Sequence, residues 1–165
     1  MGKIPGVAQG LDPSRAVAAG VRMEQFAAVV LVAMLLATGS ALLHYEALRG
    51  ISYLLPVLSI PPRRKILLII YLGLLAHFLE IALFAAGISL FLDPGAGIAL
   101  PAGVIDEAVY ISFESFASLG TSAGYPMGPL RLLAGVEALV GLILIGWTTT
   151  FTFIAMKTLW DDHST

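Results

Sequence analysis

The chain contains no cysteine. Disulfide staples, zinc–thiolate centres and thiol nucleophiles are therefore excluded. Charge is scarce as well: Asp, Glu, Lys and Arg make up 12% of the 165 residues, where about 25% is usual for a soluble domain. The net charge of -2 is too small to suggest nucleic acid or an acidic partner. There is no Walker, Rossmann, HExxH or nucleophile-elbow motif, so nothing supports an enzyme. Internal repeats and low-complexity tracts are absent too. What is abundant is apolar: 58% of residues are hydrophobic and the mean hydropathy is +0.92. Such a composition belongs to an integral membrane protein with one membrane domain and no room for a soluble domain of normal size.

Residues 1–22 are polar and rich in Gly, Pro and Ala, and read as an N-terminal tail. Residues 25–43 carry no charge, and roughly 20 apolar residues span a bilayer core, so a peripheral transmembrane helix is expected over 23–43. A cleaved signal peptide is the alternative reading of that run, though the leader before it is long. Residues 44–65 read as a polar-apolar connector. Leu48, Ile51, Leu55 and Leu58 recur in it at helical spacing, so part of it is expected to lie flat in the interface. A second membrane helix is expected over 66–92, interrupted by His77 and Glu80. A third is expected over 131–158, where Glu137 is the one ionisable side chain between Arg131 and Lys157. Residues 159–165 are a short tail.

Arg49, Arg63, Arg64 and Lys65 lie in the 44–65 connector, whereas 93–130 has Asp93, Asp106, Glu107 and Glu114 and neither Lys nor Arg. By the positive-inside rule the connector is cytoplasmic, with the N-terminus outside and the C-terminus inside.

Between the last two spans, 105–117 predicts a helix of about 20 Å, too short to cross a bilayer. Gly120, Gly124, Pro126, Gly128 and Pro129 break it. A short apolar helix followed by irregular backbone reads as a re-entrant pore helix and filter, since non-helical backbone at membrane depth must be held by surrounding protein. An amphipathic hairpin on the outer face is the plainer alternative.

Ser112, Glu114, Ser118-Leu119-Gly120, Pro126, Arg131, Gly141 and the run G-P-L-R-L-L-A-G-V-E-A-L-V-G-L-I-L-I-G-W at 128–147 resemble the pore domain of the potassium channel superfamily, most closely small bacterial two-pore-type ion channels. The resemblance covers 66–158. It implies an all-α membrane protein whose three transmembrane helices and re-entrant pore helix assemble as a homotetramer around a central cation pore in the plasma (inner) membrane. Residues 118–123 (Ser118, Leu119, Gly120, Thr121, Ser122, Ala123) would be the selectivity filter. Ser112, Glu114 and Tyr125 would support it, Gly141 would be a gating hinge, and Thr148, Thr149 and Thr152 would line the cavity. A monovalent cation, K+ or Na+, would bind at Ser118, Leu119 and Gly120; no other cofactor is implied. The departure is at Thr121-Ser122-Ala123, where the family has Y/F-G-D. Inward-pointing carbonyl rings need backbone of alternating hand, which glycine tolerates best. Ser122 therefore disfavours the outer rings, and weakened potassium selectivity is expected.

Intramembrane ionisable residues invite a functional reading. His77 and Glu80, three apart, share one helix face. They read as an interhelical hydrogen-bonded pair that fixes packing, or as a proton relay; as metal ligands they are a weak pair. Glu114 is expected to brace the filter and Glu137 to pack or pair. Two other functions stay open: a non-conducting membrane scaffold or accessory subunit with a channel fold, and a proton pathway through His77, Glu80, Glu114 and Glu137.

Overall fold

The computed structural model describes residues 13–92, 104–120 and 128–161, and among them every regular element is a helix. In chain order these are α1 (Pro13–Val57), α2 (Pro62–Ser89), α3 (Val104–Phe116) and α4 (Pro129–Asp161). Three of them, α1 from Met23, α2 and α4 from Leu130, are long and apolar enough to cross a membrane.

Two boundaries differ from those the sequence suggests. The N-terminal tail is helical from Pro13, where proline suits the first turn because its missing N–H has no intrahelical acceptor. More consequentially, the connector expected from residue 44 is largely the continuation of α1, which runs unbroken for 45 residues to Val57. Leu48, Ile51 and Leu55 of the stripe expected to lie flat belong to this helix, and Leu58 follows its end. Leu48 and Ile51 are buried against Ile69, and Leu55, Phe151 and Ala155 close the cluster. A stripe that finds protein on α2 and α4 has no need of the lipid interface. Pro56 stands in the last turn, where it ends the helix. The chain then turns through Leu58–Pro61 and enters α2 with Pro62 at its start.

Three packing clusters fix the topology. At one end Ala33 of α1, Phe84, Ala85 and Ile88 of α2, Ala108 and Ile111 of α3, and Leu130 and Leu133 of α4 form a common core. At mid-length Ile81, Phe116 and Leu144 meet. At the far end lies the cluster around Leu48, Ile51 and Ile69. So α1 and α4 run the same way, α2 runs against both, and α3 lies along α4 over only part of its length. In lipid there is no hydrophobic drive between helices, so close approach and polar contacts carry association. Gly87 shows the first: a Cβ there would come within 2.3 Å of Leu36 Cδ1.

Candidate functional site

The short helix α3 ends deep in the bundle. Ser112 donates to the Ile81 carbonyl at 2.8 Å, and its hydroxyl also contacts Glu137 Oε1. Phe116 reaches the His77 ring with centroids 5.4 Å apart. A Cβ on Gly141 would fall 2.3 Å from the Phe116 carbonyl oxygen. His77, Ile81 and Gly141 lie in the middle stretches of α2 and α4, so the C-terminal end of α3 sits about halfway along its neighbours. Gly141, expected as a hinge from resemblance, is here the seat that admits the α3 backbone.

The helix stops by a specific device. The Ser118 N–H donates to the Ser115 carbonyl and the Leu119 N–H to the Glu114 carbonyl, both at 2.9 Å. With Ser118 at φ 54, this pair of bonds is a Schellman motif, which normally places glycine at the left-handed position. The first expected filter residue is therefore also the cap of α3. Gly120 follows at φ 80, and Leu119 is exposed. Thr121, Ser122, Ala123 and Tyr125 lie outside the described residues. Ser112, Glu114 and Glu137 are all buried.

Below the end of α3, between α2 and α4, is a cavity of about 650 Å³. Thr148, Thr149 and Thr152 line it together with His77, Phe116 and Ala117. These three threonines thus share one wall of this cavity within the single chain. Thr149 donates to the Ile145 carbonyl and so is tethered to its own helix, and the Thr148 hydroxyl has the Leu144 carbonyl 3.2 Å away.

The densest polar cluster lies at the edge of this cavity. Glu80 is fully buried on α2, and its two carboxylate oxygens each face an imidazole: His44 Nδ1 at 2.8 Å from Oε1 and His77 Nδ1 at 2.9 Å from Oε2. The two imidazoles stack with centroids 5.3 Å apart. Their other nitrogens converge on one hydroxyl, Thr148 Oγ1, at 3.2 Å for His44 and 3.1 Å for His77. Trp147 covers His44 at 5.4 Å and Phe116 covers His77. His77 and Glu80 do share a face, as their spacing implies. The partners that make them a site, His44 and Thr148, come from α1 and α4. Two imidazoles and a carboxylate are metal-type donors, and suitable donor atoms lie within 4.8 Å of one another. Here each ring nitrogen already has a hydrogen-bonding neighbour.

Sequence reasoning missed His44 because it fell in the segment read as a connector. A signal was present: Val29, Ala33, Ser40, His44, Leu48 and Ile51 recur at helical spacing straight through the supposed boundary, and all six are buried. Of the four residues in the suggested proton pathway, the structure joins His77 and Glu80 in one network and places Glu137 in another with Ser112. No family model, no curated protein and no solved structure matches this chain.

Proposed function

We propose that the chain is one subunit of a homotetrameric, potassium-channel-like membrane channel that passes monovalent cations, K+ or Na+, with weakened selectivity. The observation that carries this reading is α3: a helix of 13 residues whose C-terminal end abuts Gly141 and Phe116's partner His77 at mid-length of the two long helices around it. A helix that stops halfway through a membrane aims the negative end of its dipole at the bilayer centre, where it favours a cation. It also delivers irregular backbone there, which lipid would not tolerate unless it lined a protein-walled, watered path. In this reading α2 is the outer helix, α3 the re-entrant pore helix and α4 the inner helix, with α1 an addition outside that unit. The backbone after α3, with left-handed residues at Ser118 and Gly120, begins the ion path. In this reading Thr149 and Thr152 stand on the wall of its inner vestibule, whose other lining side chains are mainly apolar, among them Leu74, Phe78 and Phe153.

Purified protein reconstituted in liposomes under a potassium/sodium bi-ionic gradient tests this. The expected result is a cation current reversing near zero. Reversal near the potassium potential would mean that Ser118-Leu119-Gly120 suffices for selection. No current from a confirmed tetramer would overturn the channel reading in favour of a non-conducting accessory subunit.

A further inference from the structure

The contacts among His44, Glu80, His77 and Thr148 close into a ring of hydrogen bonds, and a closed ring has a definite proton count. It runs from His44 Nδ1 to Glu80 Oε1, from Glu80 Oε2 to His77 Nδ1, from His77 Nε2 to Thr148 Oγ1, and from Thr148 Oγ1 to His44 Nε2. Each of these four bonds needs one proton. Four protons on one carboxyl, one hydroxyl and two imidazoles sum to zero charge, wherever each proton sits. A carboxylate facing one imidazolium and one neutral imidazole has the same count as a carboxylic acid facing two neutral imidazoles. With one proton fewer, a bond is empty and the ring carries a net negative charge. With one more, the Thr148 hydroxyl turns to the Leu144 carbonyl, 3.2 Å away, and the ring carries a net positive charge. His44 and Glu80 are fully buried, and net charge of either sign is what a membrane interior penalises. Neutrality and complete hydrogen bonding coincide at one proton count.

We infer that these four side chains form a single proton-binding site, which holds one shared proton and passes it between His44 and His77 through the Thr148 hydroxyl. The transfer balances: as an imidazolium N–H on one ring gives its proton to Oγ1, the hydroxyl gives its own to the Nε2 of the other ring, and the alcohol is regenerated. The ring ties α1 to α2 and α4. Among the described residues, the other charged and titratable groups on these helices have partners or positions of their own. On α1, Glu46 pairs with Arg49, and Tyr45 lies against Trp147. On α4, Glu137 is about three turns before Thr148, in contact with Ser112. On α2, Lys65 is about three turns before His77. From α3 it is Phe116 that meets the ring, with the buried acid Glu114 two residues earlier. Loss of the shared proton as pH rises therefore leaves an uncompensated charge where three helices meet, beside the cavity wall that Thr148 forms.

Nitrogen-15 NMR of histidine-labelled protein in micelles tests this, with His163→Gln removing the third histidine of the chain. As the pH is raised, the Nε2 signals of His44 and His77 should move together, and the pair should release no more than one proton per chain. Thr148→Val should abolish the averaging between the two rings, and Thr148→Ser, which keeps the hydroxyl, should preserve it. Two separate midpoints with one proton each would overturn the inference, as would a Thr148→Val spectrum with averaging intact. One equivalent of Zn2+ retained on dialysis, and lost on His44→Ala, would make the cluster a metal centre instead. Should Thr148→Val fail to fold, the count of at most one proton against two in the His163→Gln protein decides.

Discussion

Gly141 is where one methyl group separates packing from clash. A Cβ there would lie 2.3 Å from the Phe116 carbonyl oxygen and 3.0 Å from its Cα and carbonyl carbon. These are backbone atoms of a capped helix end and have no rotamer to change. Gly135, on the same helix, would place a Cβ in open space. Helix propensity favours Ala over Gly by about 1 kcal/mol at either site. At 141 this gain is opposed by overpacking, which costs about 1–3 kcal/mol where the neighbours must move. Gly141→Ala is thus expected to lower the melting temperature of the detergent-solubilised protein and Gly135→Ala to leave it level or raise it. Equal effects at the two sites would mean that α3 does not rest on α4 at this point. The three glycines of α4 look alike in sequence because close approach and flexibility leave the same mark; the neighbour that distinguishes them is far away in the chain.

At the level of elements, α3 is held by one hydroxyl with more partners than protons. Ser112 has a single proton, and both the Ile81 carbonyl and the Glu137 carboxyl lie against its oxygen. The carbonyl can only accept. If Ser112 donates to it, the second contact requires a donor on residue 137. Glu137→Gln supplies one through its amide and is expected to unfold at nearly the wild-type temperature. Glu137→Ala removes that contact and leaves a hole where the fully buried side chain stood, and should melt lower. If Gln proves as damaging as Ala, the carboxyl is needed as an acceptor and the order of donors is the reverse. The existence of these helices was legible: α2, α3 and α4 begin and end within a few residues of the ranges that composition and Gly/Pro punctuation imply. The polar contacts between them were not. His77 and Glu80 announce themselves by spacing, but nothing local says that His44 and Thr148 complete their ring. His44, Glu46 and Arg49 interrupt an apolar run, and a hydropathy reading ends a span at such residues. The buried stripe from Val29 to Ile51 shows instead that the helix continues and turns its polar members inward or along its exposed flank.

For the whole molecule, the open quantity is which way it faces, and the charges divide unevenly enough to commit. Arg49, Arg63, Arg64, Lys65 and Lys157 gather at the bundle end where α1 finishes, α2 begins and α4 finishes. Arg131, at the start of α4, falls toward the other end, and the N-terminal stretch of the sequence carries Lys3, Arg15 and Arg22. Arg63, Arg64 and Lys65 sit together in the first turn of α2, just past the Leu58–Pro61 turn, and would have to cross as a unit. The N-terminal charges are spread over a long leader, and acids count for little in this balance. The cluster is therefore expected to stay in the cytoplasm, so that α3 enters from outside with Asp106 and Glu107 in its first turn, where they complement the positive end of its dipole. Because the chain has no cysteine, the wild-type protein is its own blank for thiol labelling. Asp106→Cys should react with a membrane-impermeant maleimide on intact spheroplasts, and Arg64→Cys only in inverted vesicles; both side chains are exposed. The opposite pattern would turn the molecule over. A helix that ended halfway from the cytoplasmic side would place its left-handed cap and the residues after it at the inner mouth, and the ion path proposed here would have to be redrawn from that side.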